Sequence, residues 1–481
     1  MRRDVLDLLV VGAGATGCGT ALDAASRGLS VALIDKGDIA GGTSSRSSQL
    51  VHGGLRYLQN GDVGLVREAL RERELLLTTL APELVRPMAF LLPIRHHVWE
   101  RPYLGLGLTI YDTLARSGTL PRHRHLTRRG ALERFPDLNP QRIVGAMQFY
   151  DAKMDDARLA VAIARTAQDL GAHVATRVDL IRSDGLDADG IWRVTVRDEV
   201  SGQEIVVAAR AIARCVGVWA PQVSGLFDGR RDSVEVTRSK GVHIRLPRSA
   251  IDGHTALIVP TGRSVLFVIP EDDHWIVGTT ATEWLADPDG VEPEEGDVQY
   301  LLRMLNGILV HPVDPSEVTH TFAGLRPLVR DQAVGGDTAK VTREHRIMRI
   351  APHVFSIVGG KWTTYRVMAR DMVDTVLRDG QRPWVPCRTN TIPLITERAG
   401  ERDALLTRTP SLSQPIVDAP TFIRADVVHA TQFEGAITID DVIERRLRLP
   451  RRLDHVSART RQDVAAVLAT SASEGRAPGQ D

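Results

Sequence analysis

The stretch VLDLLVVGAGATGCGTALDAASRGLSVALIDK, residues 5–36, decides how the chain begins to fold. Its apolar run from Leu6 to Val11 is typical of a buried parallel strand. An alanine-rich segment from Thr20 to Arg27 predicts a helix, and a second apolar run from Leu29 to Ile34 predicts a strand that ends at Asp35. The stretch therefore predicts a complete βαβ unit.

The turn after the first strand reads Gly12-Ala13-Gly14-Ala15-Thr16-Gly17, a G-x-G-x-x-G motif. Its glycines allow a tight turn, close approach of a pyrophosphate and tight packing of helix on strand. The helix N-terminus offers unpaired N–H groups to phosphate oxygens, and Asp35 would accept hydrogen bonds from ribose hydroxyls. The motif in this context predicts a dinucleotide site, but both NAD and FAD use it.

The residues that follow favour FAD over NAD. An NAD enzyme typically continues with further βαβ units, whereas this chain turns to a hydroxyl-rich loop, Thr43-Ser44-Ser45-Arg46-Ser47-Ser48, and then to His52-Gly53-Gly54-Leu55-Arg56-Tyr57. Such a loop can donate hydrogen bonds to phosphate and flavin atoms. Paired glycines let the backbone lie close to a flat ring.

Length and composition indicate a globular protein of two or three units, since 481 residues are too many for one compact core. Lys+Arg and Asp+Glu balance at 60 each, which gives no field that would attract nucleic acid. The three cysteines, Cys18, Cys215 and Cys387, form neither a metal-ligand pattern nor a disulfide framework, as expected in a reducing cytoplasm. Without a signal-peptide pattern or an apolar stretch of roughly 20 residues, we expect a cytoplasmic protein that is at most attached to a membrane face.

Local patterning predicts further elements. Asp155 is expected to cap an alanine-rich helix that reaches Leu170, and Val354 to Val358 predicts a last buried strand before Gly359-Gly360 and another helix. Alternating patterns predict antiparallel strands at Ile191 to Val196, Glu204 to Ala209, Val242 to Leu246, Ser264 to Ile269 and Trp275 to Val277.

The C-terminal part differs in composition. Residues 382–420 are rich in proline and are interpreted as a linker. Residues 422–433, 440–449 and 459–469 predict helices. The small, polar tail 471–481 is expected to be disordered.

Distinctive motifs run along the chain: Thr43-Ser44-Ser45 to Ser48, His52-Gly53-Gly54-Leu55-Arg56-Tyr57-Leu58, Asp155-Asp156-Ala157-Arg158-Leu159, Lys240-Gly241-Val242-His243, Phe267-Val268-Ile269-Pro270, Gly278-Thr279-Thr280, Gly324-Leu325-Arg326-Pro327-Leu328 and Gly359-Gly360-Lys361-Trp362-Thr363-Thr364-Tyr365-Arg366. In order and spacing they resemble the FAD-dependent glycerol-3-phosphate dehydrogenase family. Arg424 to Arg448 resembles the helical cap domain of that family, and the resemblance covers about residues 5–450.

The sequence departs from the family pattern in three places. The second flavin-contacting turn, usually Ala-Thr-Gly-Pro-Trp, reads Cys215-Val216-Gly217-Val218-Trp219 and lacks the threonine and the proline. Gln49 stands where a lysine is common, and the region from about 399 to 420 is shorter than usual.

The resemblance implies a mixed α/β fold of three parts: a Rossmann-type FAD-binding domain of the amino-acid-oxidase-like kind, a substrate domain built on an antiparallel sheet, and a C-terminal helical cap. The implied ranges are 1–80, 145–235 and 340–382 for the first, 81–144 and 236–339 for the second, and 383–470 for the third.

The resemblance also implies which residues bind FAD, while no metal site is expected. These residues are Gly12, Gly14, Gly17, Asp35, Lys36, Thr43, Ser44, Ser45, Ser48, His52, Gly53, Gly54, Leu55, Val178, Gly217, Trp219, Gly360, Lys361, Trp362, Thr363 and Thr364.

The implied reaction is oxidation of sn-glycerol 3-phosphate to dihydroxyacetone phosphate by hydride transfer to flavin N5. A phosphate with a charge near −2 needs cationic donors, and the planar fork of arginine suits it. The resemblance brings Arg56, Tyr57, Arg326, Arg343 and Lys361 to one pocket. Arg343 and Tyr57 are expected to bind the phosphate, Arg326 and Arg56 to lie nearer the reacting end, and Lys361 to place a positive charge beside the flavin.

Catalysis also needs a group that removes the hydroxyl proton. An arginine keeps its proton at any ordinary pH, whereas histidine titrates in the useful range. His243, which the family pattern places in the substrate pocket, is the first candidate, and His52 is the second. We therefore predict Arg326, His243 and Lys361 as the catalytic residues.

Several interpretations stay open. The electrons would pass to a quinone at the cytoplasmic face of the membrane or, in an oxidase of the same family, to O₂. An amine or amino-acid oxidase of related fold and a flavin-binding protein without turnover are further alternatives, and a homodimer is compatible with the sequence.

A basic run, Arg122-His123-Arg124-His125 with Arg128 and Arg129, follows the apolar stretch Leu104 to Leu114. We interpret it as a solvated loop, with contact to anionic lipid or to another protein as the alternative.

Overall fold

The computed structural model describes residues 5–59, 61–96, 98–115, 118–227, 236–261, 265–329, 344–453 and 455–474. Within these ranges the chain forms two large β-sheets, the helices that pack on them, and a C-terminal region of helices with a small two-stranded sheet. The mixed α/β fold predicted from the sequence is confirmed.

The first sheet has eight strands and a parallel centre. Leu6–Val11 pairs in parallel with Val31–Asp35 on one side and with Glu204–Arg214 on the other. Its central side chains are buried on both faces, which is why they read as continuous apolar runs. The remaining strands are His173–Thr176, Val178–Leu186, Trp192–Asp198, His345–Ala351 and Val354–Gly359.

Three helices pack together on the first sheet. Ala15–Ser26 contacts both Asp156–Asp169 and Tyr365–Asp379, and their apolar side chains share one core with alternate residues of the central strands. The predicted cap at Asp155 is confirmed, because its side chain accepts a 3.1 Å hydrogen bond from the backbone N–H of Arg158.

The second sheet has ten strands, which pair antiparallel except where Val85–Ile94 runs parallel to Ala256–Pro260. The helix Glu295–Asn306 buries its leucines against this sheet, and Val63–Leu75 and Glu100–Ala115 pack around a second cluster. The other strands are Leu50–Val51, Arg124–Thr127, Gly145–Met154, Val236–Pro247, Val265–Pro270, His274–Gly278, Thr282–Trp284 and His320–Val329.

Short helical segments connect these elements. They are Thr43–Ser45, Leu55–Gln59, Leu76–Leu80, Arg128–Leu132, Gly217–Trp219, Ala220–Val223, Ser224–Leu226, Arg248–Ala250, Pro315–Glu317 and Trp362–Thr364. No helix in the described ranges is long and apolar enough to cross a membrane.

The predicted domain division was wrong in two places, one of which is Leu50–Val51, from the range 1–80, which pairs in the second sheet. We expected residues 145–235 to belong with the first sheet, but Gly145–Met154 pairs along its whole length with Val85–Ile94 in the second sheet. An apolar run can be buried in either sheet, so its composition did not identify its partner. The chain returns to the first sheet at Asp156–Asp169.

The C-terminal region contains more structure than the sequence predicted. The proposed linker, residues 382–420, includes the helix Glu401–Arg408 and the strand Pro415–Ile416, which pairs with Ala419–Ile423. The other elements are Pro410–Ser413, Arg424–Gln432, Asp441–Arg446, Leu449–Arg451 and Ala458–Glu474. The last helix overlaps the first four residues of the tail expected to be disordered, and 475–481 lie outside the described residues.

Candidate active site

The glycine-rich turn has no room for side chains at two positions. Gly12 has φ +104°, and a Cβ there would lie 2.6 Å from the Cys215 carbonyl oxygen. A Cβ on Gly17 would overlap the carbonyl oxygen of Gly12. The helix that follows begins at Ala15 without an acidic residue in its first turn, so its N-terminus can take an anion.

Asp35 is bound to the same turn. Its carboxylate accepts hydrogen bonds of 2.6 Å from the Ala13 N–H and 2.7 Å from the Gly37 N–H. Burial raises the pKa of Asp35, and these two N–H groups act to lower it. The Gly37 carbonyl accepts a 2.8 Å bond from the N–H of Arg177, which brings the start of the strand with Val178 to this edge.

Lys36 and Trp219 both contact the carboxylate of Asp289. The Lys36 ammonium lies 3.2 Å from a carboxylate oxygen of Asp289 and 5.1 Å from the centre of the Trp219 ring. The Trp219 indole N–H donates a 2.8 Å bond to the same carboxylate. Gly42 packs against this ring so closely that a Cβ on it would lie 2.7 Å from the nearest ring carbon, and Gly217 begins the turn with φ +53°. The side chains of Lys36 and Trp219 therefore lie beside the hydroxyl-rich loop.

The loop of residues 43–48 joins three parts of the chain. Thr43 Oγ1 donates a 2.6 Å bond to the Leu325 carbonyl. Ser44 Oγ accepts from the Ala15 N–H at 2.9 Å, and its carbonyl accepts from the Trp362 indole at 3.0 Å. Ser45 is buried. The loop thus contacts the helix Ala15–Ser26, the second sheet and the segment after Gly360.

The paired glycines Gly53 and Gly54 lie against aromatic side chains. The Gly53 N–H donates a 2.8 Å bond to the hydroxyl of Tyr111, and that hydroxyl donates in turn to Asp151. A Cβ on Gly54 would overlap the ring of Tyr57. A side chain at either glycine would collide with these groups, so the glycine pair permits the close packing seen here.

Lys361 follows two glycines with left-handed backbone, Gly359 at φ +78° and Gly360 at φ +81°. Its ammonium lies 3.7 Å from the centre of the Tyr57 ring. The next residues open a helix, where the hydroxyl of Thr363 accepts a 3.3 Å bond from the His52 N–H. Thr364, also buried, donates to the Lys361 carbonyl at 3.4 Å.

Arg326 is fixed by the turn after His274–Gly278. Its guanidinium donates a 2.8 Å bond to the Thr279 hydroxyl and a 3.2 Å bond to the Thr280 carbonyl. A Cβ on Gly241 would overlap this guanidinium. The glycine therefore leaves the space that the arginine needs.

His243 lies on the strand beside Arg326, with 1% of its surface exposed. Its ring stacks on Phe322 at 4.8 Å with an interplanar angle of 9°, and Nε2 lies 2.9 Å from Ser48 Oγ. This histidine is thus connected to the hydroxyl-rich loop.

Of the remaining predicted residues, Leu55 and Arg56 are half-buried on the short helix Leu55–Gln59. Arg343, assigned to the substrate phosphate, lies outside the described residues.

Two acidic residues near the glycine-rich turn and the hydroxyl-rich loop were absent from our predicted site. Asp156 accepts from the Ser47 N–H at 3.0 Å and from its hydroxyl at 2.7 Å. Asp38, on the segment after Asp35, is bound by arginines of the C-terminal region. Their sequence signal was weak: Asp156 stands in one of the recognised motifs, but nothing in the motif identifies its partner.

The site fits FAD on structural grounds. The glycine turn accommodates no Cβ at Gly12 or Gly17, and the helix N-terminus beyond it has no acidic residue in its first turn, which suits it to a pyrophosphate. Residues 7–375 match the family model described as FAD dependent oxidoreductase. Fold and site together define an FAD-dependent oxidoreductase, and FAD rather than NAD is its cofactor.

Proteins of similar sequence show to which family of FAD-dependent oxidoreductases the chain belongs. The chain is 38% identical to glycerol-3-phosphate dehydrogenase 2 of Mycobacterium tuberculosis, over 96% of this chain and 84% of that protein. It belongs to the FAD-dependent glycerol-3-phosphate dehydrogenase family, which confirms the resemblance seen in the motifs.

Two solved structures share the fold. The glycerol-3-phosphate dehydrogenase from Bacillus halodurans complexed with FAD has a TM-score of 0.74 at 24% identity, over 98% of this chain and 91% of that chain. Glycine oxidase from Geobacillus kaustophilus has a TM-score of 0.54 at 18% identity, over 82% and 99%. The second match confirms the amino-acid-oxidase-like kind of fold.

Proposed function

We propose that this protein oxidises sn-glycerol 3-phosphate to dihydroxyacetone phosphate and passes the electrons to a quinone. The observation that carries the proposal is that two cations from distant parts of the chain, Arg326 and Lys361, flank one loop. The residues next to them in the chain are hydrogen-bonded to Thr43 and Ser44. The 38% identity to a glycerol-3-phosphate dehydrogenase supports the choice of substrate.

Arg326 and Tyr57 are proposed to recognise the substrate together with Arg56 and Arg343. Tyr57 and Arg343 are proposed to bind the phosphate, whose charge near −2 suits fixed donors, and Arg326 and Arg56 are proposed to lie nearer the reacting end. The hydrogen bonds from Arg326 to Thr279 and its neighbour hold the guanidinium in one orientation, so less freedom is lost when the substrate binds.

FAD, when bound, supplies the hydride acceptor at its N5. His243 is proposed to accept the proton of the substrate hydroxyl, because its ring is held between Ser48 and Phe322 and imidazole titrates near neutral pH. Lys361, whose ammonium lies against the Tyr57 ring, is proposed to supply a fixed positive charge to the flavin site.

A membrane-facing surface is proposed for the quinone reaction. On the helix Glu100–Ala115 and the residue before it, Trp99, Tyr103, Leu106 and Ile110 follow a helical spacing and are exposed by 57%, 50%, 65% and 41%. Arg95, which precedes this helix, and Arg122 and Arg124, on either side of His123, are exposed, and cations near an apolar stripe suit an anionic lipid surface.

The basic run from residue 122 lies against the same helix. His123 is bonded to Asp112 at 2.7 Å, and His125 lies close to Gly105. Arg124–Thr127 is a strand and Arg128 begins the helix Arg128–Leu132, so the solvated loop expected for this run was wrong. We include the run in the proposed lipid contact because it packs on the helix that carries the apolar stripe.

The test is anaerobic addition of sn-glycerol 3-phosphate to the FAD-loaded protein. We expect the yellow colour to bleach, and reoxidation in a stopped-flow instrument to be faster with a soluble quinone than with O₂. Unchanged colour in fully loaded protein contradicts the proposal. Bleaching by sarcosine or a D-amino acid instead would identify an amine or amino-acid oxidase, and faster reoxidation by O₂ would identify an oxidase.

A further inference from the structure

Three arginines of the C-terminal region contact the segments that hold the cofactor. Arg445 and Arg446, on the helix Asp441–Arg446, both bind the carboxylate of Asp38, and Arg446 does so with two 2.8 Å hydrogen bonds. Arg448 binds Asp156 at 2.6 Å. The side chains of Asp38, Asp156, Arg446 and Arg448 are all at most 3% exposed.

Asp156 connects Arg448 to the hydroxyl-rich loop. One of its oxygens faces Arg448, and the other accepts from both the N–H and the hydroxyl of Ser47. The Ser47 hydroxyl also accepts a 2.9 Å bond from the Gln49 N–H, which closes the end of the loop. An arginine of the C-terminal region therefore fixes the backbone between Ser44 and Ser48.

Asp38 makes the corresponding connection to the glycine-rich turn. It lies on the segment that continues from Asp35, and two residues later the Ala40 N–H donates a 2.9 Å bond to the Ala13 carbonyl. Ala13 in turn donates its N–H to Asp35. The ion pair between Arg446 and Asp38 therefore fixes one part of the segment that is hydrogen-bonded to the glycine-rich turn.

We propose that the C-terminal region is a positioning element for FAD, acting through Arg448–Asp156–Ser47 and Arg446–Asp38. A buried carboxylate is costly unless a cation pairs with it, and Arg445, Arg446 and Arg448, which pair with these two, belong to the C-terminal region. When this region docks, the loops are held in the form that receives the cofactor. Binding is then coupled in both directions, so FAD strengthens the docking to the same extent.

The same interface offers a matched control. Arg165 binds Glu401 with two bonds of 2.8 and 2.9 Å and the Thr396 carbonyl at 2.7 Å, and these partners belong to the C-terminal region. Arg165 is as buried as Arg448 to within a few per cent. Its loss removes a docking contact of the same kind without cutting a link to residues 35–48.

The experiment compares Arg448→Gln with Arg165→Gln in the full chain. FAD is removed, and its Kd for the apoprotein is measured by the quenching of flavin fluorescence, well below the melting temperatures. We expect Arg448→Gln to raise the Kd about tenfold, within the range of about 5- to 150-fold that is typical for coupled sites. Arg165→Gln is expected to change it less than twofold, although both variants melt earlier. Equal Kd values for the two variants overturn the proposal.

Hydrogen exchange tests the reverse direction. FAD should slow exchange in residues 424–449 of the wild type and of Arg165→Gln, and have little effect there in Arg448→Gln. Protection by FAD that is the same in Arg448→Gln as in the wild type contradicts the coupling.

Ser47→Ala is a second variant, which tests the same proposal if Arg448→Gln does not fold. It keeps the buried ion pair and removes only the hydroxyl that Asp156 binds. A several-fold rise in the Kd for FAD, with weaker protection of residues 424–449 on binding, supports the proposal, and unchanged values of both overturn it.

Discussion

The ammonium of Lys361 lies 3.7 Å from the centre of the Tyr57 ring. A cation over an aromatic face is attracted by the ring quadrupole, by about 0.5–2 kcal/mol depending on exposure. The ring also packs against Gly54, where a side chain would collide with it. Tyr57 therefore holds the lysine and closes one side of the glycine pair, and its ring and hydroxyl can be tested separately.

Tyr57→Phe separates the two parts of this side chain. The ring face remains, so thermal stability and FAD content should stay near those of the wild type. If the hydroxyl binds the phosphate, KM for sn-glycerol 3-phosphate should rise about 10- to 100-fold, since a hydrogen bond to a charged group contributes about 1.5–3 kcal/mol. Tyr57→Leu should in addition lower the melting temperature. An unchanged KM in Tyr57→Phe removes the hydroxyl from the phosphate site.

Arg326→Ala should lower kcat/KM about 100-fold or more, because one charged contact of about 1.5–3 kcal/mol and the fixed position of the cation are both lost. FAD should remain bound, since the guanidinium is held by the second sheet through Thr279 and Thr280. Arg303→Ala, on the exposed face of Glu295–Asn306, is the control and should behave as the wild type. Near-normal turnover of Arg326→Ala excludes this arginine from the site.

Gly17→Ala should yield protein without FAD. A Cβ at this position would overlap the Gly12 carbonyl oxygen, so the turn must open and the N–H groups that face the pyrophosphate move away. Gly64→Ala is the matched control, because its surroundings on the helix Val63–Leu75 are open. That change should raise stability by about 0.5–1 kcal/mol. The flavin absorbance per protein, measured after purification, decides between these outcomes.

Stability should fall in acid through Glu434. Burial acts to raise the pKa of this carboxyl, but Arg158, Arg446 and His429 outweigh it and lower the pKa from 4.5 to about 2. A carboxyl with a lowered pKa stabilises the fold above its unfolded pKa and loses this effect as the pH falls through the folded value. The shift corresponds to about 3 kcal/mol, lost between about pH 5 and pH 2.

Urea titrations of the wild type and of Glu434→Gln across this pH window check the prediction. The variant should be less stable at neutral pH, because Arg158 and Arg446 lose their buried partner. Its stability should also depend less steeply on pH below 5. Parallel pH profiles for the two proteins would assign the acid sensitivity to other carboxyls.

The apolar stripe can be tested by sedimentation with phosphatidylglycerol vesicles. We expect the wild type to sediment with them and to be released by salt, since exposed charges are screened at high ionic strength. Trp99→Ser combined with Leu106→Ser should remove binding and leave the bleaching by substrate intact. Leu285→Ser alters another apolar residue, 87% exposed, and should bind as the wild type does. Equal sedimentation of all three proteins would place the lipid contact elsewhere.

Much of the cofactor site could be predicted because its signals are local. The glycine turn, the strands beside it and the cap at Asp155 depend on residues a few positions apart, where spacing alone fixes the geometry. Arg326, Lys361 and His243 were predicted through motifs that resemble a family, and not through their own surroundings. No pattern in the sequence predicts that Thr43 is hydrogen-bonded to Leu325 or that Ser48 is hydrogen-bonded to His243.

The strand Gly145–Met154 and the helix Glu401–Arg408 show where prediction failed. An apolar strand is satisfied by burial in either sheet, so only the pairing with Val85–Ile94 decides its place. The helix stands in a proline-rich region with low apolar content, and it is anchored by contacts such as that between Glu401 and Arg165. Neither contact is local in the sequence.

The sequence by itself determined the βαβ unit, because hydrogen bonding in a turn and burial of a strand act between near neighbours. It also indicated FAD and the family, through the hydroxyl-rich loop and the motifs that follow the turn. Only the tertiary structure decided which cation meets which anion. Arg448 reaches Asp156, and Arg446 reaches Asp38, from the far end of the chain. With 60 basic and 60 acidic residues available, charge alone selects no partner. Packing does, since only the pairs that it buries together must be matched.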